Sequence, residues 1–439
     1  MMDRVVLNEK KYTFAIHTLG CKVNTYESDV IAERMKEAGF TEVDFEGPAD
    51  IYIINTCTVT NIADRKSRQM LHRAKKQNPD ALLVAAGCYV DAVEQGKGLP
   101  EDTVDIWVNN SQKADIAGIC LEKLSLGSSS HKDYFLTELD GHTRAFVKVE
   151  DGCNMFCTYC IIPYVRGKVT PRPVSDTLRE VEGLRDKGVT EIVLTGIHLS
   201  SMGSGLLETI RGINSMEGIR RIRLGSLEPR LITRDFVSEL SKIEKLCHHF
   251  HLSLQSGCDE ILRSMKRRYT AAEFEEGCRI LREAFPDVAI TTDIIVGFPG
   301  ETLENFEESL SFAAKIGFYE AHVFKYSRRK GTVADTLPGQ LTEAVKSERS
   351  AVLIAKSEEL SHVFRKRFVG RTVSFLAEEK VFIGGSAYVT GYTGEYVRCM
   401  LPEEEMTSWK PGDIITGHAD DLLSDRKEGE YLMLTKCKE

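Results

Sequence analysis

The sequence predicts an α/β protein in three parts: an N-terminal open parallel α/β sheet domain, a central partial (β/α)6 barrel and a C-terminal small antiparallel β-barrel. Three observations point there. Short apolar runs alternate with polar helical stretches near the start of the chain, and a longer series of the same kind follows a Ser/Gly-rich stretch. The final segment then changes to strand-like runs broken by GG, TG and PG turns.

At 439 residues the chain is too long for one ordinary core. It is 42% hydrophobic and 28% charged, which excludes a disordered chain. No run is long and apolar enough to span a bilayer, and MMDRVVLNEKKYTF lacks a signal-peptide core, so the expected location is the cytoplasm, without a membrane partner. Twelve cysteines in such a chain suggest metal ligation or burial rather than disulfides. A net charge of −9 argues against a general nucleic-acid coat, although local basic patches stay possible.

The first domain is expected over 10–124. Its strands are YTFAIHTL, ADIYIINT, ALLVAAG and TVDIWV, with helical stretches at 26–38, 63–76 and 91–96. That order gives a parallel sheet. Cys21 follows the first strand, Cys57 the second and Cys88 the third. Ligands gather at the carboxyl ends of such strands, so three thiols there would converge on one site. Each taken singly also reads as a packing cysteine.

A polar linker is expected over 125–141, and a second domain over 142–368. Its strands fall at 145–149, 191–195, 220–224, 250–254, 289–296 and 321–326, with helices at 175–187, 271–284 and 303–316 and a closing helix at 342–368. Six βα units make a partly closed barrel with its chemistry at the strands' carboxyl ends. Directly after the first strand comes FVKVEDGCNMFCTYCIIPYVRG, in which Cys153, Cys157 and Cys160 form C-x3-C-x2-C. Three soft thiolates from one loop suit an iron–sulfur cluster with one iron left open. Structural zinc is the alternative, but it wants four closed ligands and no fourth lies in register. The third domain, 369–437, reads as a small barrel of the nucleic-acid-binding kind. From Arg371 to Lys436 it carries seven basic against twelve acidic residues, so it would grip RNA only through a local patch.

The Cys153/Cys157/Cys160 loop resembles the radical S-adenosylmethionine (SAM) motif. The whole layout resembles the methylthiotransferases, which carry an N-terminal cluster domain, a radical-SAM barrel and a C-terminal TRAM domain. HTLGCKVNTYES, INTCTVT and AAGCY are most similar to the branch that modifies N6-threonylcarbamoyladenosine at tRNA position 37. Sister branches act on isopentenyladenosine or on a ribosomal-protein aspartate.

The resemblance implies two 4Fe–4S clusters. Cys153, Cys157 and Cys160 would hold the one that binds SAM and yields a 5′-deoxyadenosyl radical; Cys21, Cys57 and Cys88 would hold an auxiliary cluster that presents sulfur. One SAM would supply the methyl group and a second the radical that takes hydrogen from adenine C2. A one-electron donor such as a flavodoxin or ferredoxin and a sulfur donor are implied partners, with a monomer acting on the tRNA anticodon stem-loop. The implied SAM pocket comprises Thr195, Gly196, Ser226, Glu228, Gln255, Ser256, Arg267, Asp293, Gly297 and Pro299, each of which also has an ordinary structural reading.

An unstacked anticodon-loop base suits a barrel enzyme. Arg65, Lys66, Arg68, Arg73 and Lys76 lie on a helix after Cys57, and Arg166, Arg328 and Arg329 near barrel strand ends. With Tyr396 and Arg398 in GYTGEYVR, they are the candidate RNA contacts; solvated helix faces and core aromatics are the plain alternatives. Cys120, Cys247, Cys258, Cys278, Cys399 and Cys437 share no spacing and read as packing or surface thiols. His17, His198 and His322 read as structural. The rival of another class is a non-catalytic iron–sulfur RNA-binding protein, with one cluster and no SAM pocket.

Overall fold

The computed structural model describes residues 11–127, 135–136, 143–406, 408–425 and 429–437. Most of the expected linker lies outside them. The chain forms two compact units, neither continuous in sequence: Met1–Asp140 with Phe146–Arg172 and Ser327–Thr336, and Gly141–Ala145 with Pro173–Tyr326 and Leu337–Glu439.

In the first unit, β1 (Thr13–Thr18), β2 (Thr41–Glu42), β3 (Ile51–Thr56), β4 (Leu82–Gly87) and β5 (Ile106–Val108) form a parallel sheet of order β2-β1-β3-β4-β5. Central β3 is buried at every residue, as a strand covered on both faces requires. Ile51 and Ile53 pack with Ile31 and Met35 of helix Lys22–Glu37 and with Leu121 of helix Ile116–Lys123. Tyr52 and Ile54 face Leu71 and Ala74 of helix Asn61–Gln77. The side-chain period of two thus builds two cores from one strand. Cys120 lies in the first of them, in agreement with its packing reading.

The strand β6 (Arg144–Lys148) has residues in both units. After it, β7 (Glu150–Asp151) pairs with β8 (Thr170–Pro171), closing the cysteine loop at its base.

The second unit contains β9 (Glu191–Thr195) beside β10 (Arg221–Leu224), and the parallel set β11 (His249–His251), β12 (Ala289–Val296) and β13 (Glu320–Lys325). Bridges Ile222↔Leu246 and Leu227↔Leu252 join the two sets. Helices Ala271–Ala284 and Leu303–Ile316 start on capping boxes at Thr270 and Thr302.

Five strands then close a small barrel of order β14-β15-β16-β18-β17: β14 (Thr372–Ile383), β15 (Ser386–Thr393), β16 (Arg398–Pro402), β17 (Ile414–Asp425) and β18 (Gly429–Lys436). It is antiparallel except where β16 meets β18 in parallel, which the closure demands. Its core, including Phe375, Leu401 and Leu432, is continuous with Ala289 of β12 and Phe364 of helix Glu343–Lys366.

Arginines fasten this barrel to the parallel strands. Arg221 donates to the carbonyls of Tyr392 and Ser374, both at 2.9 Å. Arg223, fully buried, donates to Gly394 (2.9 Å) and Thr393 (3.1 Å) and pairs with Glu191 at 3.0 Å. Arg144 pairs with Glu378. The turn at 392–396 therefore stops the amino-terminal end of the parallel strands.

Candidate active site

Three adjacent strands of the first unit, β1, β3 and β4, run in register at their ends: Thr18 opposite Asn55, Thr56 opposite Gly87. Cys57 follows β3 directly, and Cys88 opens helix Cys88–Glu94 after β4. Cys21 takes the N-cap position of helix Lys22–Glu37 but makes no side-chain cap bond, so the helix does not use its sulfur. Gly20, at φ +105°, shows how closely the loops meet: a Cβ there would lie 2.9 Å from Cys57 Sγ. Burial raises the Cys57 thiol to about 12, and the negative charges of Cys88 and Cys21 push it the same way. The three thiols are thus electrostatic neighbours, as the strand positions predict. Asn110 donates an amide N–H to Cys88 Sγ at 3.6 Å.

The second triad lies in the same unit. Cys157 is buried, while Cys153 and Cys160 are half-buried. The Cys153 N–H donates to the Gly167 carbonyl (3.1 Å), and the Ala334 N–H to that of Thr158 (2.8 Å), which ties the loop at both sides. The Met155 N–H donates to Cys153 Sγ at 3.4 Å. A Cβ on Gly152 would collide with the Lys168 carbonyl, so the loop's entry requires glycine. Three thiols at three adjacent strand ends, and three more on one braced loop, each match the donor set of a thiolate-held cluster with one open metal corner.

A buried ion network, invisible in the sequence, sits beside the N-terminal triad. Arg166 grips Glu27 with two bonds (2.9 and 3.0 Å), meets Asp151 at 3.0 Å and donates to Asn24 at 2.6 Å. Lys113 (2.6 Å) and Lys148 (2.9 Å) also pair with Glu27. Desolvation would raise the Glu27 carboxyl, but Arg166, Lys113 and Lys148 outweigh it and hold it well below the usual range. The network thus sets the Arg166 guanidinium close enough to Cys88 to feel its charge.

Two expected RNA contacts are corrected. Arg166 is occupied as just described, with 1% of its side chain exposed. Arg329 is equally buried, bonded to Asp64 (2.5 Å), Asn61 (2.9 Å) and Thr58 (2.6 Å). Basic residues near strand ends read as surface patches only while their partners, far off in sequence, are unknown. Tyr396 is also engaged inside the second unit, stacked on His249 at 5.0 Å and on Tyr392 at 4.6 Å, and Arg398 lies over the Tyr431 ring. By contrast Arg65, Lys66 and Lys76 are exposed and carry no ion pair among the described residues. Arg73 pairs with Glu46, Arg68 with Glu101 and Arg328 with Asp335.

The expected SAM-pocket residues all fall in the second unit. Thr195 ends β9, Gly196 follows it, and Ser226 is exposed beyond β10. Glu228 is buried, its Oε1 has no hydrogen-bond partner among the described residues, and burial raises its carboxyl while Arg267 lowers it. An ammonium or hydroxyl donor would complete that oxygen, so the site suits the amino-acid or ribose part of SAM. Gln255 holds a left-handed φ of 68° and bridges to Ile294. Three other members are tied into the protein itself. Ser256 is buried against Ser309 Oγ (3.0 Å), Pro299 is buried, and the Gly297 N–H is capped by Glu301 (2.9 Å), which pairs with Arg349. GFPGET is thus a locked turn before the Thr302 cap. Asp293 belongs to a trio that sequence reading missed: ligand atoms of His251, Asp293 and His322 all lie within 4.8 Å of one another. The strand register, Asp293 opposite His322, was the available signal.

Comparison with known proteins fits this geometry. Residues 147–313 match the model of the Radical SAM superfamily, and residues 13–109 that of Uncharacterized protein family UPF0004. The fold and cysteine loop therefore define a radical-SAM enzyme. Threonylcarbamoyladenosine tRNA methylthiotransferase MtaB of Bacillus subtilis is 38% identical over 412 residues, covering 90% of this chain and 91% of that protein. Its Aquifex aeolicus namesake is 36% identical over 88% of this chain and 99% of that protein. The tRNA-2-methylthio-N(6)-dimethylallyladenosine synthase of Moorella thermoacetica is 34% identical over 83% and 87%. A radical SAM methyltransferase, TsrM of Kitasatospora setae, shares the fold at a TM-score of 0.55 and 14% identity, covering 74% of this chain and 77% of that one. The chain belongs to the radical-SAM methylthiotransferase family. It is an enzyme that transfers methylthio groups, with SAM and 4Fe–4S clusters as cofactors.

Proposed function

We propose that the protein methylthiolates C2 of N6-threonylcarbamoyladenosine at tRNA position 37, consuming two SAM molecules and using two 4Fe–4S clusters. The observation that carries the reading is the pairing of two thiol triads in one unit of a chain 38% identical, over 90% of its length, to a protein named for that substrate. Cys153, Cys157 and Cys160 would hold the SAM-binding cluster, and Cys21, Cys57 and Cys88 the auxiliary one. Bound there, the clusters supply one-electron reduction of SAM and the sulfur that is transferred.

The chain's own residues do the rest. Gly152 and the bonds from Cys153 and Ala334 fix the loop, and the buried network sets the Arg166 guanidinium close to Cys88. Glu228 and Arg267, with Thr195 and Gly196, would orient SAM. Arg65, Lys66 and Lys76 would meet phosphates, a sequence-independent term that positions the anticodon stem-loop. The division into cluster, radical-SAM and TRAM domains, a flavodoxin or ferredoxin donor, a separate sulfur donor, a monomeric state and a cytoplasmic site are part of this reading. No described helix is long and apolar enough to cross a membrane.

Nucleoside mass spectrometry of tRNA from cells with and without the gene tests it. Loss of the methylthio-threonylcarbamoyl nucleoside alone is expected. Loss of the prenylated counterpart instead, or no change in tRNA, overturns it.

A further inference from the structure

The interior of the parallel strands in the second unit grades from closed to open. At its amino-terminal end Glu191 and Arg223 have 1% of their side chains exposed. His249 stacks on Tyr396, and the guanidinium of Arg223 lies 4.7 Å from the same ring, so these strands share one inner face. His251, two residues on, keeps that face. Its side chain is 13% exposed, that of Asp293 on β12 29%, and that of His322 on β13 46%. Polar groups thus climb the wall toward the carboxyl ends, where such enzymes hold substrate.

Their bonding is one-sided. His251 uses both ring nitrogens, Nδ1 on Thr291 Oγ1 (3.1 Å) and Nε2 on Asp293 Oδ2 (3.3 Å). It also stacks with His322 at 5.7 Å and 23°. Nδ1 of His322 lies 3.6 Å from Glu320. Among the described residues, no hydrogen bond occupies Asp293 Oδ1 or His322 Nε2. One acceptor and one ring nitrogen on neighbouring, partly exposed side chains are therefore left for an incoming group, with His251 as their brace. A divalent ion would fit the atom types, but it would have to displace the His251–Asp293 bond, which is already made.

We propose that Asp293 and His322, braced by His251, read a polar, carboxylate-bearing substituent on N6 of the target adenine. Asp293 accepts from a urea N–H or hydroxyl, and His322 donates to the carboxylate. A purely hydrocarbon substituent would leave both groups desolvated and unpaired. Sites built to hydrogen-bond reject such analogues far more strongly than apolar pockets reject an extra group. This rests on the tRNA reading above and names the group by which the substrate would be recognised.

The test is equilibrium binding of the reconstituted full-length enzyme to three anticodon stem-loops identical except for A37: unmodified, threonylcarbamoylated and prenylated. Expected is a wild-type preference for the threonylcarbamoyl loop over the unmodified one, reduced at least tenfold by His322→Leu and partly restored by His322→Asn, which keeps a donor. His322 is half exposed, so both variants should fold. A wild-type preference left intact by His322→Leu overturns this proposal alone. A wild-type preference for the prenylated loop overturns the substrate reading beneath it. Zinc or cobalt bound stoichiometrically by the wild type, lost in His322→Leu and required for discrimination, overturns the reader in favour of a metal site.

Discussion

Glu27 is the side chain whose loss should hurt the first unit most. Its carboxylate is 3% exposed and paired with Lys113 (2% exposed), Arg166 (1%) and Lys148 (17%). In Glu27→Gln those three cations lose the carboxylate they share, and Asp151 remains the carboxylate paired with Arg166 and Lys148. Removing one partner of a buried ion pair costs about 3–5 kcal/mol, because the stranded charge stays out of water. With a urea slope of roughly 2 kcal/mol per molar, the unfolding midpoint should fall by about 2 M. The assay is urea unfolding of the metal-free protein under anaerobic conditions. Trp107 of the first unit would report, with the other tryptophan removed as Trp409→Phe. Adding Lys113→Met to Glu27→Gln should recover part of the loss, and the double-mutant cycle gives the coupling. A midpoint shift below about 0.5 M would refute the claim that Glu27 holds a buried, charged network together.

Acid should act on the same network. The Glu27 and Asp151 carboxyls are held below their unfolded values, so their stabilisation is complete above the unfolded carboxylate range and is lost as pH falls through the folded values. Stability of the first unit should therefore drop steeply on acidification, less so in Glu27→Gln, as pH-dependent urea titrations would show. Replacing Cys21, Cys57 and Cys88 together by Ala should leave about four irons per chain, as should replacing Cys153, Cys157 and Cys160, by iron and sulfide analysis after reconstitution. Gly152→Ala should lose iron selectively from the second of these sites, because its Cβ meets backbone. In the Cys21/Cys57/Cys88→Ala background it should therefore take iron content toward zero. Arg65→Glu, Lys66→Glu and Lys76→Glu should weaken tRNA binding and lower the salt slope by about 0.7–0.9 for each phosphate no longer neutralised, with thermal stability unchanged.

The fold was legible where period and position carry the signal. Helices 271–284 and 303–316 fall where capping residues and apolar spacing place them. The six cysteines stood out because each follows a strand or sits in one short loop. Glu27, Lys113 and Arg166 were not legible. On a helix reading KVNTYESD, Glu27 looks like any solvated acid, and only partners 86 and 139 residues away bury it. The same blindness turned Arg166 and Arg329 into imagined RNA contacts. In the last barrel the GG, TG and PG turns announced antiparallel strands, but the order β14-β15-β16-β18-β17 comes from closure, which no local run of residues shows.

The grip of Arg221 and Arg223 on the carbonyls of 374 and 392–394 means that the C-terminal barrel acts as a stopper for the parallel strands. Severing the chain after Phe368 would uncork the parallel strands and leave the Arg221 and Arg223 guanidinium groups without the carbonyls that now receive them. Chimeras that exchange this barrel between relatives must carry matching arginines on the strands below, or the tail will not seat.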